Sequence, residues 1–590
     1  MFLPLLLVLT PPVGEPNHAA LGANDAPLVL RTYELSGVLP RSIPCFVDQH
    51  LFPVIATASE QGNEQWSEFE TPDAEVLLDL VRRQFSEEFD AEGRRLGLST
   101  NSRLVVRAPE AVQEGVLQLV QRTEVLLGAT TELFVDIVHG LPSNAPTGVI
   151  ATADAEKLLA TAGAERSSLR LELAPGLPRV LDLSGSREFV VDYNIEIAQA
   201  ATILDPVIGF LPAGPRLQAC SSPAPGGSWI ALVLRDTQPM GEVREVPVQG
   251  SGQITTQNAI LSTSSARALQ SARIAERSLA LNLFLADGKA LVLRAGFDLA
   301  SGRDDACVVV RTSGKPVPRE TKLGPVGKDP RGEIRAYPLA FALPSTVKRS
   351  SDGLLDRRDG VFPAHLYNTP LLAVEFQAMS FDELRESLDD EAHDLELHSW
   401  GPWLLAMPMD PSQPLPAGAF DGVLPTLARM APSPRTFQVG LVLRRGGDAG
   451  TVLARATLPA RAGQSGVLHL GVEESRLFDA DVEVAQSASA SDPVVELAFD
   501  GLTVEVTPTP GLAGDLRLDL SARAHVQRGS PREFQTGAAA VGILTQTDHD
   551  EFVLEERLLF SKDGPRSVRL GDVGNRPDAL SLEVELTELR

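Results

Sequence analysis

Cysteine is scarce in this chain of 590 residues: Cys45, Cys220 and Cys307 are the only three, and none stands at a CxxC or other metal-ligand spacing. So sparse and odd a set argues against a disulfide framework and a structural zinc site, and the three read as buried free thiols. Aromatic residues make up 5% of the chain, whereas Gly (48) and Pro (44) punctuate it throughout. That balance favours strands and turns over long helices. Positive charge is also short, with 52 Lys and Arg against 78 acids and a formal charge of −26. Nucleic acid and anionic membrane surfaces need a concentrated basic face to displace counterions, so neither is an expected partner. No internal run approaches eighteen apolar residues, which leaves no expected transmembrane helix. A phosphate-binding loop, a nucleophile elbow and an HExxH helix are all missing; Gly463-Gln464-Ser465-Gly466 comes nearest to the elbow but lacks its last glycine. No catalytic residue, cofactor or metal is assigned.

What the chain does have is a repeat. Ile195-Glu196-Ile197-Ala198-Gln199 leads after five residues to Asp205-Pro206-Val207, and Val482-Glu483-Val484-Ala485-Gln486 leads after the same gap to Asp492-Pro493-Val494. The register extends back from Val180 onto Val467 and forward from Gly214 onto Gly501. Two unrelated stretches would not share that spacing by drift, so the chain reads as a tandem duplication. Its length also exceeds a single core.

Taken in order, Met1 to Thr10 is apolar and of signal-peptide core length, with small residues near Ala20 and Gly22, though no basic residue precedes Arg31. Residues 1–22 are therefore expected to be a signal peptide, and the mature chain to be extracytoplasmic, in the periplasm or cell envelope. Val29 to Leu35 alternates like a strand. Thr71-Pro72-Asp73 has the form of a helix start, followed by Leu77, Leu80, Val81 and Phe85 on one face. Two short strands, Arg95–Leu98 and Arg103–Arg107, precede a second helix opened by Pro109. The second half repeats the order with a strand at Leu371–Phe376, a capping box at Ser380 to Glu383, strands at Leu395–His398 and Trp403–Met407, and a helix from Phe420 to Met430. Each α/β unit passes into period-two runs that read as strands with one buried face. Asp287-Gly288 and Asp563-Gly564 mark closing hairpins.

The expected fold class is α+β: two tandem copies of a small βαββα domain, each followed by a mainly antiparallel β-sandwich-like domain. The boundaries are 27–130 and 131–312 for the first copy, 366–432 and 433–590 for the second. Between them, 313–365 is expected to be a basic Pro/Gly-rich linker with one or two strands of its own, such as Pro338 to Leu343, since ten Lys or Arg against six acids fall between Ser313 and Pro363.

The run Leu104-Val105-Val106-Arg107-Ala108-Pro109-Glu110-Ala111-Val112, followed by Glu132-Leu133-Phe134-Val135-Asp136-Ile137, resembles the ring-building N-domains of bacterial secretins. Those are the multimeric outer-membrane channels of type II and III secretion and type IV pili. Asp500-Gly501-Leu502-Thr503-Val504-Glu505-Val506-Thr507-Pro508, with the strand Leu516 to Leu520 after it, is similar to a segment of the secretin core; the Gly214 segment departs from that pattern. The resemblance implies a non-enzymatic scaffold component of an oligomeric secretion-type assembly. It further implies protein partners or self-association, with peripheral outer-membrane association. Two other readings stand beside it: a monomeric extracytoplasmic binding protein, and a hydrolase whose carboxylates converge only in the fold.

The repeat-defining residues are Glu196, Gln199, Asp205, Pro206 and Gly214 in one copy and Glu483, Gln486, Asp492, Pro493 and Gly501 in the other. An acid and an amide on neighbouring strand positions can bind a peptide or sugar, but an outward Glu on an alternating strand and Asp-Pro turn punctuation explain them structurally, which is the reading taken here. The run Asp389 to His398 holds five acids and two histidines. It crosses from a helix into a strand, so it reads as a solvated helix end.

Overall fold

A computed structural model describes residues 26–34, 45–46, 56–57, 66–67, 74–99, 103–324 with short breaks, 333–338, 346–355, 371–377, 388, 394–430 with short breaks, and 435–589 with short breaks. The expected signal peptide, the helix start at Thr71 to Asp73, the Ser380–Glu383 capping box and the Asp563-Gly564 turn lie outside the described residues.

The chain begins with β1 (Leu28–Glu34), α1 (Ala74–Gln84), β2 (Arg95–Leu98), β3 (Arg103–Pro109) and α2 (Glu110–Leu127). β3 is central and antiparallel to both β1 and β2. Leu104, Val106 and Ala108 alternate onto one face and meet Leu77, Leu80 and Val81 of α1 and Val116 and Leu119 of α2, all fully buried.

The first β-rich stretch contains β4 (Thr131–His139), β5 (Arg166–Leu173), β6 (Arg179–Asp182), β7 (Gly185–Ala198), β8 (Ala201–Ala224), β9 (Gly227–Pro239), β10 (Arg244–Thr256), β11 (Ala259–Ser271), β12 (Arg273–Ala286), β13 (Lys289–Leu299) and β14 (Ala306–Gly314). Asp287-Gly288 closes the β12–β13 hairpin with Gly288 at φ 71°, a conformation that suits glycine.

Next come β15 (Thr321–Gly324), β16 (Ile334–Pro338), β17 (Thr346–Leu355), β18 (Leu371–Gln377), β19 (Leu395–Trp400), β20 (Trp403–Pro408) and α3 (Val423–Met430). Two sequence expectations change here. The stretch read as linker supplies β15 and β16, and β16 pairs antiparallel with β20 as β1 does with β3. The run at Leu371–Phe376, expected to hold that place, lies in β18 and pairs with β17 instead. In this position β16 is covered on both faces. Ile334 and Ala336 join the core of the first α/β unit, together with Leu323, Trp403 and Leu405, while Tyr337 packs with Leu397, Phe420 and Leu427. The Arg122 guanidinium donates to the Leu323 carbonyl at 3.1 Å, fastening α2 to this second sheet.

The last stretch contains β21 (Thr436–Arg445), β22 (Thr451–Arg461), β23 (Gly466–Ala485), β24 (Ala488–Pro510), β25 (Leu516–Gln535), β26 (Ile543–Phe560), β27 (Ser567–Gly571) and β28 (Leu580–Leu589). The two β-rich stretches share both layers of one sandwich. In the larger sheet the bases of the strands run β6-β8-β9-β12-β23-β24, with β25 and β26 continuing beyond β24. In the smaller the order is β27-β28-β21-β22-β13-β14-β4-β5. β12 pairs with β23 (Leu279 opposite Leu468) and β13 with β22 (Ala295 opposite Ala456), so each layer crosses from one half to the other. Leucines and valines from both halves fill one continuous core between the layers. A strand edge left bare would expose a row of backbone donors and acceptors, and the crossing covers two such edges in each sheet.

Candidate functional site

Four hairpins, β7–β8, β10–β11, β23–β24 and β25–β26, extend from the larger sheet as long arms. Both members of the sequence repeat fall on arms, and at matching positions. Ile195 faces Leu204 on the first arm and Val482 faces Ser491 on the third, a constant offset of 287 residues. The register slips between Val190 and Asp192 on one arm and between Leu477 and Asp479 on the other, at the same offset. Glu196 stands opposite Ile203, and Glu483 opposite Ala490. Asp205 faces Asn194 and Asp492 faces Asp481, each carboxylate followed by proline inside a paired strand rather than in a turn. Pro206 faces Tyr193 and Pro493 faces Ala480. Gln199 and Gln486 lie outside the described residues. The two glycines come close to the partner strand. A Cβ on Gly214 would stand 3.0 Å from the Leu183 carbonyl oxygen at φ 120°, and a Cβ on Gly501 would clash with the Leu470 carbonyl oxygen. Only glycine fits either place without backbone movement.

The third arm carries a polar cluster that composition did not announce. Glu276 of β12 and His469 and Glu473 of β23 are all buried, and one ligand atom from each lies within 4.8 Å of the others. The ladder explains the meeting, because Glu276 stands opposite Gly471, midway between His469 and Glu473. Gly471 in turn faces Gly501 across β23–β24, and a Cβ on Gly471 would stand 2.7 Å from the Gly501 Cα and from Phe499 Cε2. Two glycines face to face thus let the β23 and β24 backbones meet with no side chain at the crossing. Phe499 covers it and stacks on His469 with centroids 4.5 Å apart. His469 Nδ1 and Thr503 Oγ1 share a hydrogen bond of 2.8 Å, Ser278 Oγ donates to Glu276 Oε1 at 2.9 Å, and Arg235 Nε lies 3.4 Å from the same oxygen.

Buried carboxylates persist only when their charge is compensated, and Arg235 supplies part of that here. Two carboxylates and an imidazole also form a donor set able to hold a divalent ion such as zinc. Among the described residues, no other three His, Cys, Asp or Glu side chains meet in this way. The arrangement does not suit glycoside hydrolysis, which needs two carboxylates about 5–9 Å apart across a cleft open to substrate. Here Glu276 is 1% and Glu473 2% exposed.

A second buried network lies at the sandwich's end. Arg277 donates to Asp236 Oδ2 at 2.6 Å, to the Ala295 carbonyl at 3.1 Å and to Asp304, whose other oxygen meets His139 Nδ1 at 3.1 Å. Burial holds the Arg277 pKa below its usual value although Asp236 pushes it upward. The acidic run near His398 gathers no such cluster: residues 389–393 lie outside the described residues, and Glu396 binds His398 Nε2 at 2.9 Å and pairs with Arg83. Cys220 and Cys307 are buried free thiols, and burial raises the pKa of Cys307.

No protein-family model matches the chain, and no curated protein matches it. Among solved structures it is similar to the secretin-domain β-barrel of InvG from the Salmonella SPI-1 injectisome, at 12% identity over 52% of this chain and 91% of that one, with a TM-score of 0.21. It is also similar to the pilotin–secretin complex AspS–GspD of ETEC, at 9% identity over 88% of this chain and 86% of that one, with a TM-score of 0.13. A third similar structure is Aeromonas hydrophila ExeD, at 9% identity over 95% and 90% of the two chains, with a TM-score of 0.12.

Proposed function

We propose that this protein is a non-enzymatic, secretin-like structural subunit of a cell-envelope assembly, built from two tandem copies of one unit and working through self-association. The observation that carries the reading is that both ends of the long-stranded sheet are open. Among the described residues, the outer side of β6 and β7 pairs with no strand, and neither does the outer side of β26. Both ends also present large apolar side chains: Leu183 is 54% exposed at one, Val553 60% and Leu559 78% at the other. A long strand edge beside exposed apolar groups is a template for pairing with another chain. Edges that differ from each other make head-to-tail contacts, which close into rings or extend as filaments. The conserved register and bulge of the first and third arms support the duplication, and the buried carboxylates support a scaffold over an enzyme. The apolar N-terminal run supports an extracytoplasmic place, and with it peripheral association with the outer membrane.

Mass photometry of the purified full chain across a concentration series tests this. Oligomers of several copies, seen as rings or arcs by electron microscopy, are expected. A strict monomer at micromolar concentration overturns the reading and favours a monomeric binding protein.

A further inference from the structure

The seam inside the chain provides a template for the seam between chains. One path across the larger sheet runs through residues directly opposite one another: Leu217 of β8, Leu234 of β9, Leu279 of β12, then Leu468 of β23, where the second half begins. The matching path in the second half starts at Val504 of β24, which stands 287 residues after Leu217, and passes through Ala522 of β25 to Leu554 of β26. Among the described residues the sheet stops there. The residue related to Leu468 by the same offset is Leu181, on the open edge at the far end of the chain.

We propose that a second copy of this chain docks β6 and β7 antiparallel against β26, with Leu181 opposite Leu554, repeating between molecules the pairing of β12 with β23. This rests on the self-association reading and adds to it the partner strands and their register.

Three observations converge on that register. First, three of the four apolar side chains it brings together are left partly or largely uncovered, the fourth being buried Phe552. Leu181 and Leu554 both lie partly buried at the margins of the one core, and two steps away exposed Leu183 falls opposite Phe552. In the internal seam the matching Leu470 is fully buried. Second, the charges complement one another. Inside the chain Arg273 faces Glu474 at 3.9 Å, and the related positions are Asp548 and Arg187, the same pair with its signs exchanged. Just beyond the matched ladder, Glu556 falls opposite Arg179. Opposite charges across strands favour one register over its neighbours. Third, the smaller sheet ends in the same way. Its inner seam joins β13 to β22, and its open edges among the described residues are β27 and β5, each beside the strand that matches the neighbour of β13 or β22. Both layers of the sandwich therefore continue at the same two ends.

Engineered disulfides in the full chain test the register. Asp182→Cys and Val553→Cys stand opposite each other in the proposed pairing, and both positions are exposed, so neither change threatens the fold. Mixing the two single variants under mild oxidation is expected to give a covalent dimer at about ten times the yield of Ser184→Cys mixed with Val553→Cys, because a disulfide needs Cβ atoms about 4 Å apart. Preferential linkage through Ser184 while mass photometry still shows oligomers overturns the register and leaves self-association standing. No linkage and no oligomers overturn both. As an independent check, Arg179→Glu is expected to weaken association about ten-fold and the double variant Arg179→Glu/Glu556→Arg to restore it. Failure of that rescue counts against the proposed register.

Discussion

Leu183 and Leu470 hold the same place on two hairpins that share register, bulge and glycine, yet the first is 54% exposed and the second fully buried. The difference lies in their neighbours. The third arm has β12 paired along its outer edge, whereas no described strand pairs with the outer edge of the first arm, at the end of the sheet. One sequence pattern thus yields a sealed edge in the middle of the molecule and an open one at its end. The comparison teaches that the burial of one backbone position depends on the strand beside it, and that the polar cluster of the third arm lies where β12 supplies that strand.

The sharpest way to break this comparison is to truncate both leucines. Leu470→Ala removes a core side chain flanked by two pairing strands and is expected to cost about 2–5 kcal/mol. Leu183→Ala in the dilute monomer is expected to cost less than about 1 kcal/mol, because little burial is lost. Urea unfolding at low protein concentration reads both. Equal losses would mean that Leu183 is already covered within the single chain, and the open edge would disappear from the account.

Acid should separate the halves next. Opposite Gly501 stands His525, where the first half has Thr237 opposite Gly214. Burial lowers the His525 pKa from 6.5 to about 4, against an upward push from Glu551. The unfolded chain therefore takes up this proton before the folded one does. The associated stability is fully present above pH 6.5 and is lost as the pH falls toward about 4, a swing on the order of 3 kcal/mol. Urea midpoints of wild type and His525→Gln, compared from pH 7.5 to 4, are expected to converge on acidification. A constant difference across that range would remove His525 from the acid response.

The sequence made the arms visible because a shared backbone register keeps apolar alternation, the Asp-Pro step and the glycine in phase, and these mark strands wherever they occur. Glu196 and Glu483 could be matched for that reason. The exact alignment of later strands was less secure. Alternation pairs Ile230 with Leu516, whereas the ladders place Ile230 level with Leu518, a two-residue slip that leaves every side chain on its own face. Pairing between the halves was not legible, since a period-two pattern says that a strand has a neighbour without saying which. The same holds for β16, hidden in a stretch whose Gly, Pro and basic residues read as a linker. The polar cluster was furthest from view: His469 and Glu473 lie roughly 13 Å apart along an ideal strand. They converge across Gly471, which Gly501 faces on the next strand, a relation that needs the partner strand to be known.

The smallest expected effect concerns the counterpart of the cluster. The offset that carries Gly214 onto Gly501 carries Asp182 onto His469 and Arg216 onto Thr503, so a solvated ion pair on the first arm replaces a buried hydrogen bond on the third. Asp182 and Arg216 approach to 3.6 Å with side chains 45% and 26% exposed, and water and salt screen such a pair. Asp182→Ala is accordingly expected to shift stability by less than about 1 kcal/mol at low salt, with the shift fading as ionic strength approaches 1 M. Urea midpoints at low and high salt measure it. A large loss that salt did not reduce would place Asp182 in a buried network like that of His469, and the two arms would then differ in sequence but not in environment.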